Sequence, residues 1–302
     1  MFSDLEQRFS YALGIDLSNS NIGMAVFHAK KGCEILPISK GKYSMPSYIS
    51  FTDDGVLFGE DAKNQLISNP TNTIYDFLHL ISDKYSDPEY QHRLKSYPFK
   101  IVKDSNDKPQ IEVTFKGEIK RFYLKEILGM IFQHLKEIAT SYLTSSKKYK
   151  KVLHAKVILN SDSHRETIHD ALVLAGFNPF YPVKRSIALS CGLGLQELRN
   201  ETNAVVISCG SESFDLWIYQ ICGMFETRAE QSCKTLGGNN FDERLSDYFA
   251  GRFNEQYKCN IYESPESIGV LRSACENVKI QLTTNENASI FCPSIYEGHD
   301  LK

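Results

Sequence analysis

The sequence predicts an α/β protein of two similar lobes. A strand–turn–strand pattern occurs twice, at residues 12–27 and 204–219. Short apolar runs of strand length alternate elsewhere with segments of helical periodicity, which favours strands and helices layered together. A chain of 302 residues, 42% hydrophobic, is long enough to build two cores.

The first copy reads Ala12-Leu-Gly-Ile-Asp16-Leu-Ser-Asn-Ser, then Asn-Ile-Gly-Met-Ala-Val-Phe27. The second reads Ala204-Val-Val-Ile-Ser208-Cys-Gly-Ser-Glu-Ser-Phe-Asp-Leu-Trp-Ile-Tyr219. Both turns are built from small polar residues, which let backbone N–H groups approach an anion. The pair reads either as two phosphate-sized turns facing a shared cleft or as two ordinary β-hairpins. Ser208 stands where the first copy has Asp16.

A short strand is expected at Pro46-Ser-Tyr-Ile-Ser-Phe51, with a turn at Asp53-Asp54-Gly55. Residues 99–123 read as an antiparallel meander, with turns near Asp104 to Lys108 and at Lys116-Gly117. Leu124, Ile127, Leu128, Ile131, Leu135, Ile138, Ala139 and Tyr142 fall at helical spacing, the clearest amphipathic helix in the chain. The basic run at residues 145–151 suits a solvated helix end better than a phosphate contact. Residues 152–159 read as a buried strand, and Ser163-His-Arg-Glu166 as a capping box opening a helix that Gly176 stops. After the second hairpin come a strand near Met224 to Glu230 and a glycine turn at Leu236-Gly-Gly-Asn-Asn240. Two helices follow, one carrying Phe241, Leu245, Tyr248, Phe249 and Phe253, the other opening at Ser264-Pro265 and carrying Ile268, Leu271, Cys275, Val278 and Leu282.

A net charge of −3 gives no reason to expect nucleic acid as a partner. The eight cysteines include no C-x-x-C pair, so neither zinc nor a redox dithiol is signalled, and buried unpaired thiols are expected. The first residues carry acids and no apolar stretch, which argues against a secretory leader, and no run is long enough to span a membrane.

An ordered set of motifs resembles the nucleotide-binding domain of the 70-kDa heat-shock chaperones, DnaK-type proteins of the actin-like ATPase superfamily. It includes Gly14-Ile-Asp-Leu17, Pro46-Ser-Tyr48, Asn69-Pro-Thr-Asn-Thr73, Lys136-Glu-Ile-Ala139, Leu236-Gly-Gly238, Ala274-Cys-Glu276 and Tyr296-Glu-Gly298, in family order. The resemblance implies an actin-like fold with two lobes around a nucleotide cleft. Residues 1–195 would be the first lobe, containing the meander and helix at 99–143. Residues 196–302 would be a second lobe left incomplete at the C-terminus. The hydrophobic linker and client-binding domain are expected to be absent.

The resemblance also implies ATP or ADP as ligand, with Mg²⁺ bridging the phosphates. Such chemistry depends on positioning and on cations and carboxylates around the phosphates. Asp16 matches the first-lobe carboxylate of the metal site, so a weak, water-mediated metal contact is expected there. Ser18, Asn19 and Ser20 stand for the family's Gly-Thr-Thr phosphate turn, and Gly210 and Ser213 belong to the second. The catalytic lysine falls on Leu78, one glutamate on Val183 and the second carboxylate on Ser208. Glu212 adds a negative charge where a phosphate would sit. Lys184 and Arg185 offer positive charge, though a surface turn suits them better. A stretch carrying a relay proline is missing after Ile158, leaving Asn160-Ser-Asp-Ser163. On the adenosine side Glu276, Lys279 and Thr283 match the family's contacts at one helix face, and Gly237 and Gly238 keep the turn near the β-phosphate.

The expectation is therefore a heat-shock-70-like chaperone-family protein of the stress response. It would bind ATP or ADP, hydrolyse weakly or not at all, and act in protein folding or chaperone regulation. Other chaperones, J-domain proteins or nucleotide-exchange proteins are the implied partners, without nucleic acid, membrane or direct client binding. The location implied is cytoplasmic, possibly nuclear. Alternatives are a nucleotide-independent interaction scaffold, a truncated copy without a role, and a phosphotransferase using Asp215 as base.

Overall fold

Alternation of apolar residues draws the first two strands into register. In β1 (Tyr11–Leu17) and β2 (Asn21–His28) the buried residues Leu13, Ile15 and Leu17 stand opposite Val26, Met24 and Ile22. A period of two puts all six on one face, and Asp16 therefore on the other. This computed structural model describes residues 11–28, 32–39, 41–82, 84–94, 97–144, 154–159, 164–180, 182–233 and 235–302. The chain divides into two units, Met1–Ala188 and Leu189–Lys302.

In unit 1, β3 (Gly32–Ile35) and β4 (Ser44–Pro46) both pair with β2. The strand expected at residues 46–51 is thus two strands, because β5 (Tyr48–Phe51) joins another sheet with β6 (Val56–Phe58) and β7 (Thr73–Tyr75). Ser47 makes the break by donating its N–H to Ser20 O at 3.0 Å and its hydroxyl to Ser18 O at 2.6 Å. The short helices α1 (Gly59–Lys63) and α2 (Pro88–Leu94) and a 3₁₀ turn at Phe77–Leu80 gave no periodic signal. The meander is β8 (Lys100–Lys103), β9 (Pro109–Phe115) and β10 (Glu118–Phe122), where Glu112 of the middle strand binds Lys100 at 2.7 Å and Arg121 at 2.8 Å across the flanking ones.

The long helix is α3 (Leu124–Thr144); Leu128, Phe132, Leu135 and Ala139 are fully buried, while Tyr142 is exposed and donates to Glu34. β11 (His154–Leu159) then runs parallel to β1, as a crossover through a helix requires. Ser163 and the basic run at 145–151 lie outside the described residues, as does the segment 160–163. His164 holds the N-cap of α4 (Arg165–Leu174), without a side-chain cap bond. Gly176 ends that helix at φ +69°: its N–H binds Val173 O at 2.8 Å and the Phe177 N–H binds Leu172 O at 2.9 Å, while Lys136 Nζ donates to the Ala175 carbonyl at 3.0 Å. β12 (Asn178–Pro179) and β13 (Val183–Lys184) complete the main sheet beside β11, giving the order β12-β11-β1-β2-β3, and α5 (Arg185–Gly192) follows.

Unit 2 holds a three-stranded antiparallel sheet, β14 (Thr202–Cys209), β15 (Phe214–Ile221) and β16 (Phe225–Cys233). Two helices, α6 (Gly238–Tyr257) and α7 (Pro265–Gln281), pack with the hairpin β17 (Cys292–Tyr296) and β18 (His299–Leu301) around Phe253, Ile261, Leu271, Cys275 and Ile295. Ser264 caps α7 by accepting from Ser267 N–H at 3.1 Å, with Pro265 in its first turn as the sequence predicts. The expected helix faces shift slightly: Phe241, Tyr248 and Leu282 are exposed. The thiols depart further from expectation, since only Cys275 and Cys292 are buried, whereas Cys33, Cys191, Cys209, Cys222 and Cys233 are exposed. Among the described residues no helix is long and apolar enough to cross a membrane.

Candidate functional site

Each unit carries one hairpin turn of the duplicated pattern. In unit 1, Ser18 closes the turn on itself: its hydroxyl donates to Asn21 O at 2.8 Å and its N–H reaches the same oxygen at 3.1 Å. Asn19 is buried, and its Oδ1 accepts the Leu78 N–H at 2.7 Å. Ser20 gives its carbonyl to Ser47. The turn is fixed by its own side chains and by the neighbouring 3₁₀ segment.

Leu78, where the resemblance puts the family's lysine, is 8% exposed and belongs to the hydrophobic core of unit 1. Its neighbour Asp76 adopts a left-handed φ of 64° and accepts from Tyr97 Oη at 2.5 Å. Burial and this carboxylate push the Tyr97 phenol far above its ordinary range. Val183 is half-buried in β13, paired with Ile158.

Asp16 meets a partner that local sequence does not disclose. Arg185 Nη2 donates to Asp16 Oδ1 at 2.7 Å, and Nη1 lies 3.4 Å from Oδ2. The expectation of a surface turn fails for Arg185, whose side chain is 18% exposed against 47% for Asp16. The cause is sheet register, which lines up Asp16 with Ile158 and Ile158 with Val183, so that α5 begins beside the end of β1.

In unit 2 the strand ends Ser208 and Asp215 face each other across β14 and β15. Asp215 accepts the Ser213 hydroxyl at 2.6 Å and the Ser232 hydroxyl at 2.5 Å. Gly210 N–H closes the turn on Ser213 O at 2.8 Å. The first amides of α6 seal the other side, Gly238 N–H to Gly210 O at 3.0 Å and Asn239 N–H to Ser211 O at 2.7 Å. Helix N-terminal amides lack intrahelical acceptors, so the hairpin supplies them. The approach is close enough to demand glycine: a Cβ on Gly237 would stand 2.6 Å from Ser211 O.

Lys279 of α7 reaches the same helix start, donating to Asp242 Oδ2 at 2.6 Å and to Gly238 O at 3.1 Å. Glu276 lies one turn earlier on α7 and is half-buried. Thr283 corrects the expectation of one helix face for all three: α7 ends at Gln281, and the exposed Thr283 turns its hydroxyl back to Ile280 O at 2.6 Å. A hollow of about 360 Å³ opens beside Lys279, lined also by Phe241, Arg244, Leu245 and Leu282. Sequence reasoning missed Arg244, which lines this hollow.

Together these elements define a mixed α/β protein with the actin-like ATPase fold. A family model described as Hsp70 protein matches residues 12–301, and the chain belongs to the Hsp70 family. It is 36% identical over 292 residues to a heat shock 70 kDa protein of Neurospora crassa, a match covering 96% of this chain and 45% of that protein. It is 35% identical to heat shock 70 kDa protein 2 of Paracoccidioides lutzii, covering 96% of this chain and 44% of that protein. It is 33% identical over 295 residues to heat shock cognate 70 kDa protein 3 of Dictyostelium discoideum, covering 96% and 46%. The chain thus spans a little under half the length of these relatives.

The family's Mg²⁺ does not fit the first turn as built here. Mg²⁺ is held through anionic oxygens and a near-octahedral water shell, yet both oxygens of Asp16 face the Arg185 guanidinium and Ser208 has no carboxylate. Unit 2 offers a hollow instead. The hollow combines an aromatic ring, two aliphatic side chains and two cations.

Proposed function

We propose that this Hsp70-family chain binds ATP or ADP weakly, hydrolyses it at near-background rates, and acts by docking to chaperone partners such as J-domain or nucleotide-exchange proteins in the cytoplasm or nucleus. The observation that carries the reading is Leu78. A leucine packed in the core where the family has a lysine offers no charge to a phosphate or an attacking water. Loss of one transition-state cation typically lowers phosphoryl-transfer rates by about 10³–10⁵. Here Val183 and Ser208 remove two carboxylates as well, and losses within one catalytic unit do not simply add.

Binding is supported from unit 2. Phe241 offers an exposed ring on which a base can stack, and Arg244 and Lys279 supply positive charge beside it.

A thermal-shift titration tests the binding half. ATP at about 100 times its dissociation constant stabilises by about 2.7 kcal/mol, and Phe241→Ala should reduce the shift. A melting temperature indifferent to millimolar ATP, ADP and adenosine would leave a nucleotide-independent scaffold instead.

A further inference from the structure

The sheet of unit 2 has an edge unlike the others. Gly210 N–H bonds Ser213 O at 2.8 Å, and the register of β14 with β15 runs unbroken from there. Antiparallel strands alternate the side on which successive residues bond, so Ser208, Val206 and Ala204 face β15. Asn203, Val205, Ile207 and Cys209 turn their N–H and C=O groups the other way. Among the described residues no strand pairs with them, because β14 ends its sheet. β1, the equivalent strand of the duplicated pattern, is flanked by β11 as well as by β2.

All four outward-bonding residues are exposed, Val205 at 60% and Ile207 at 59%. From Thr202 to Ser211 the chain carries no charge. Every other edge strand of four residues or more, among the described residues, carries a charge or a proline: Glu34 in β3, Lys100 in β8, Lys120 in β10, Arg228 in β16 and Pro293 in β17. Such residues keep an edge from taking on a further strand, and β14 lacks them.

We infer that β14 is a dimerisation edge, pairing antiparallel with β14 of a second copy to join their three-stranded sheets into one. A second copy suits this edge because the edge complements itself. A two-fold axis beside Val206 sets Val205 opposite Ile207, Ala204 opposite Ser208 and Asn203 opposite Cys209. The outward-bonding residues then bond one another, and no like charges meet. On the shared face Val205 and Ile207 of both chains extend the row begun by Ile218 and Leu216 of β15. One strand pair is a small interface, so monomer and dimer should interchange with concentration.

Sedimentation equilibrium of the whole chain in reducing buffer, over a range of concentrations, tests this. Wild type should pass from one chain per particle to two and stop there, because a two-fold pair closes. Val205→Lys and Ile207→Lys should each weaken association by about tenfold or more. Their melting temperatures should match wild type, since both sites are exposed. Mixing Val205→Lys with Ile207→Glu should restore dimers, because the new charges would face each other. Asn203→Cys treated with diamide should form a disulfide between position 203 and Cys209 of different chains. Within one strand these positions lie about 20 Å apart and cannot join. A chain that stays monomeric overturns the inference, as does one that grows past two copies or carries a different polypeptide in place of the second copy. Dimers insensitive to both lysines, or dimers of Asn203→Cys without that cross-link, overturn it too. Should the lysine variants melt early, the cross-link decides.

Discussion

At the hairpin turn of unit 1 side chains do most of the bonding; at that of unit 2 backbone amides do. Asn19 accepts from Leu78 N–H, Ser47 closes on Ser18 O, and Arg185 grips Asp16. The turn at Gly210 and Ser211 instead gives its carbonyls to the first amides of α6, with Gly237 allowing the approach. The same strand–turn–strand pattern is thus satisfied twice by different means. A turn fixed by side chains can carry an ion pair such as Arg185–Asp16 without losing its shape. A turn fixed by a helix start keeps its glycines whatever becomes of the neighbouring carboxylate, as Ser208 illustrates.

The contrast can be broken most forcefully at Leu78. Leu78→Lys returns the family's residue type to an apolar core and should destabilise unit 1 by about 3 kcal/mol or more in urea denaturation, without raising ATP turnover. Gly237→Ala attacks the other turn. Its φ of −165° is ordinary extended backbone, so the effect is steric alone, about 2–3 kcal/mol of overpacking, and hydrogen exchange should accelerate at Gly238 and Asn239. Asn19→Ala leaves the buried Leu78 N–H without its acceptor and should cost about 1–2 kcal/mol. In unit 2 the corresponding side chain matters less: Ser213→Ala removes one of two hydroxyls on Asp215, about 0.5–1 kcal/mol.

The smallest effect is a pH response of unit 1. His134 stacks on Phe58 with ring centroids 4.3 Å apart, and burial holds its imidazole below the ordinary value. Below about pH 6.5 the unfolded chain takes up a proton that the folded chain resists. Stability therefore falls on the acid side, and above that pH the group makes no difference. The drop in melting temperature between about pH 7.5 and 5.5 should be smaller in His134→Gln than in wild type.

Local signals carried much of the architecture. The period of two in β1 and β2, the helical spacing over α3, the Gly176 stop and the Ser264 cap each depend on neighbours within a turn or two, and each stands in the structure. The family motifs led to Leu78 and to the glycine turn. What the sequence concealed depends on register between distant strands. Asp16 and Arg185 are brought together only through β11, and nothing near either residue announces the other. Thr283 failed for the opposite reason: motif spacing extended α7 two residues past its end, where a turn already bonds the hydroxyl. The 3₁₀ segment at Phe77–Leu80 and the short strands β3, β4, β12 and β13 are too brief for periodicity to register.

The central claim, an Hsp70-family chain in which hydrolysis is lost while nucleotide is still held, is tested most directly by single-turnover hydrolysis. The chain is placed in excess over radiolabelled ATP with Mg²⁺, and phosphate release is followed. The account expects bound ATP to persist, with release indistinguishable from that of free ATP. Release at the rate of a family member that retains the lysine would contradict it.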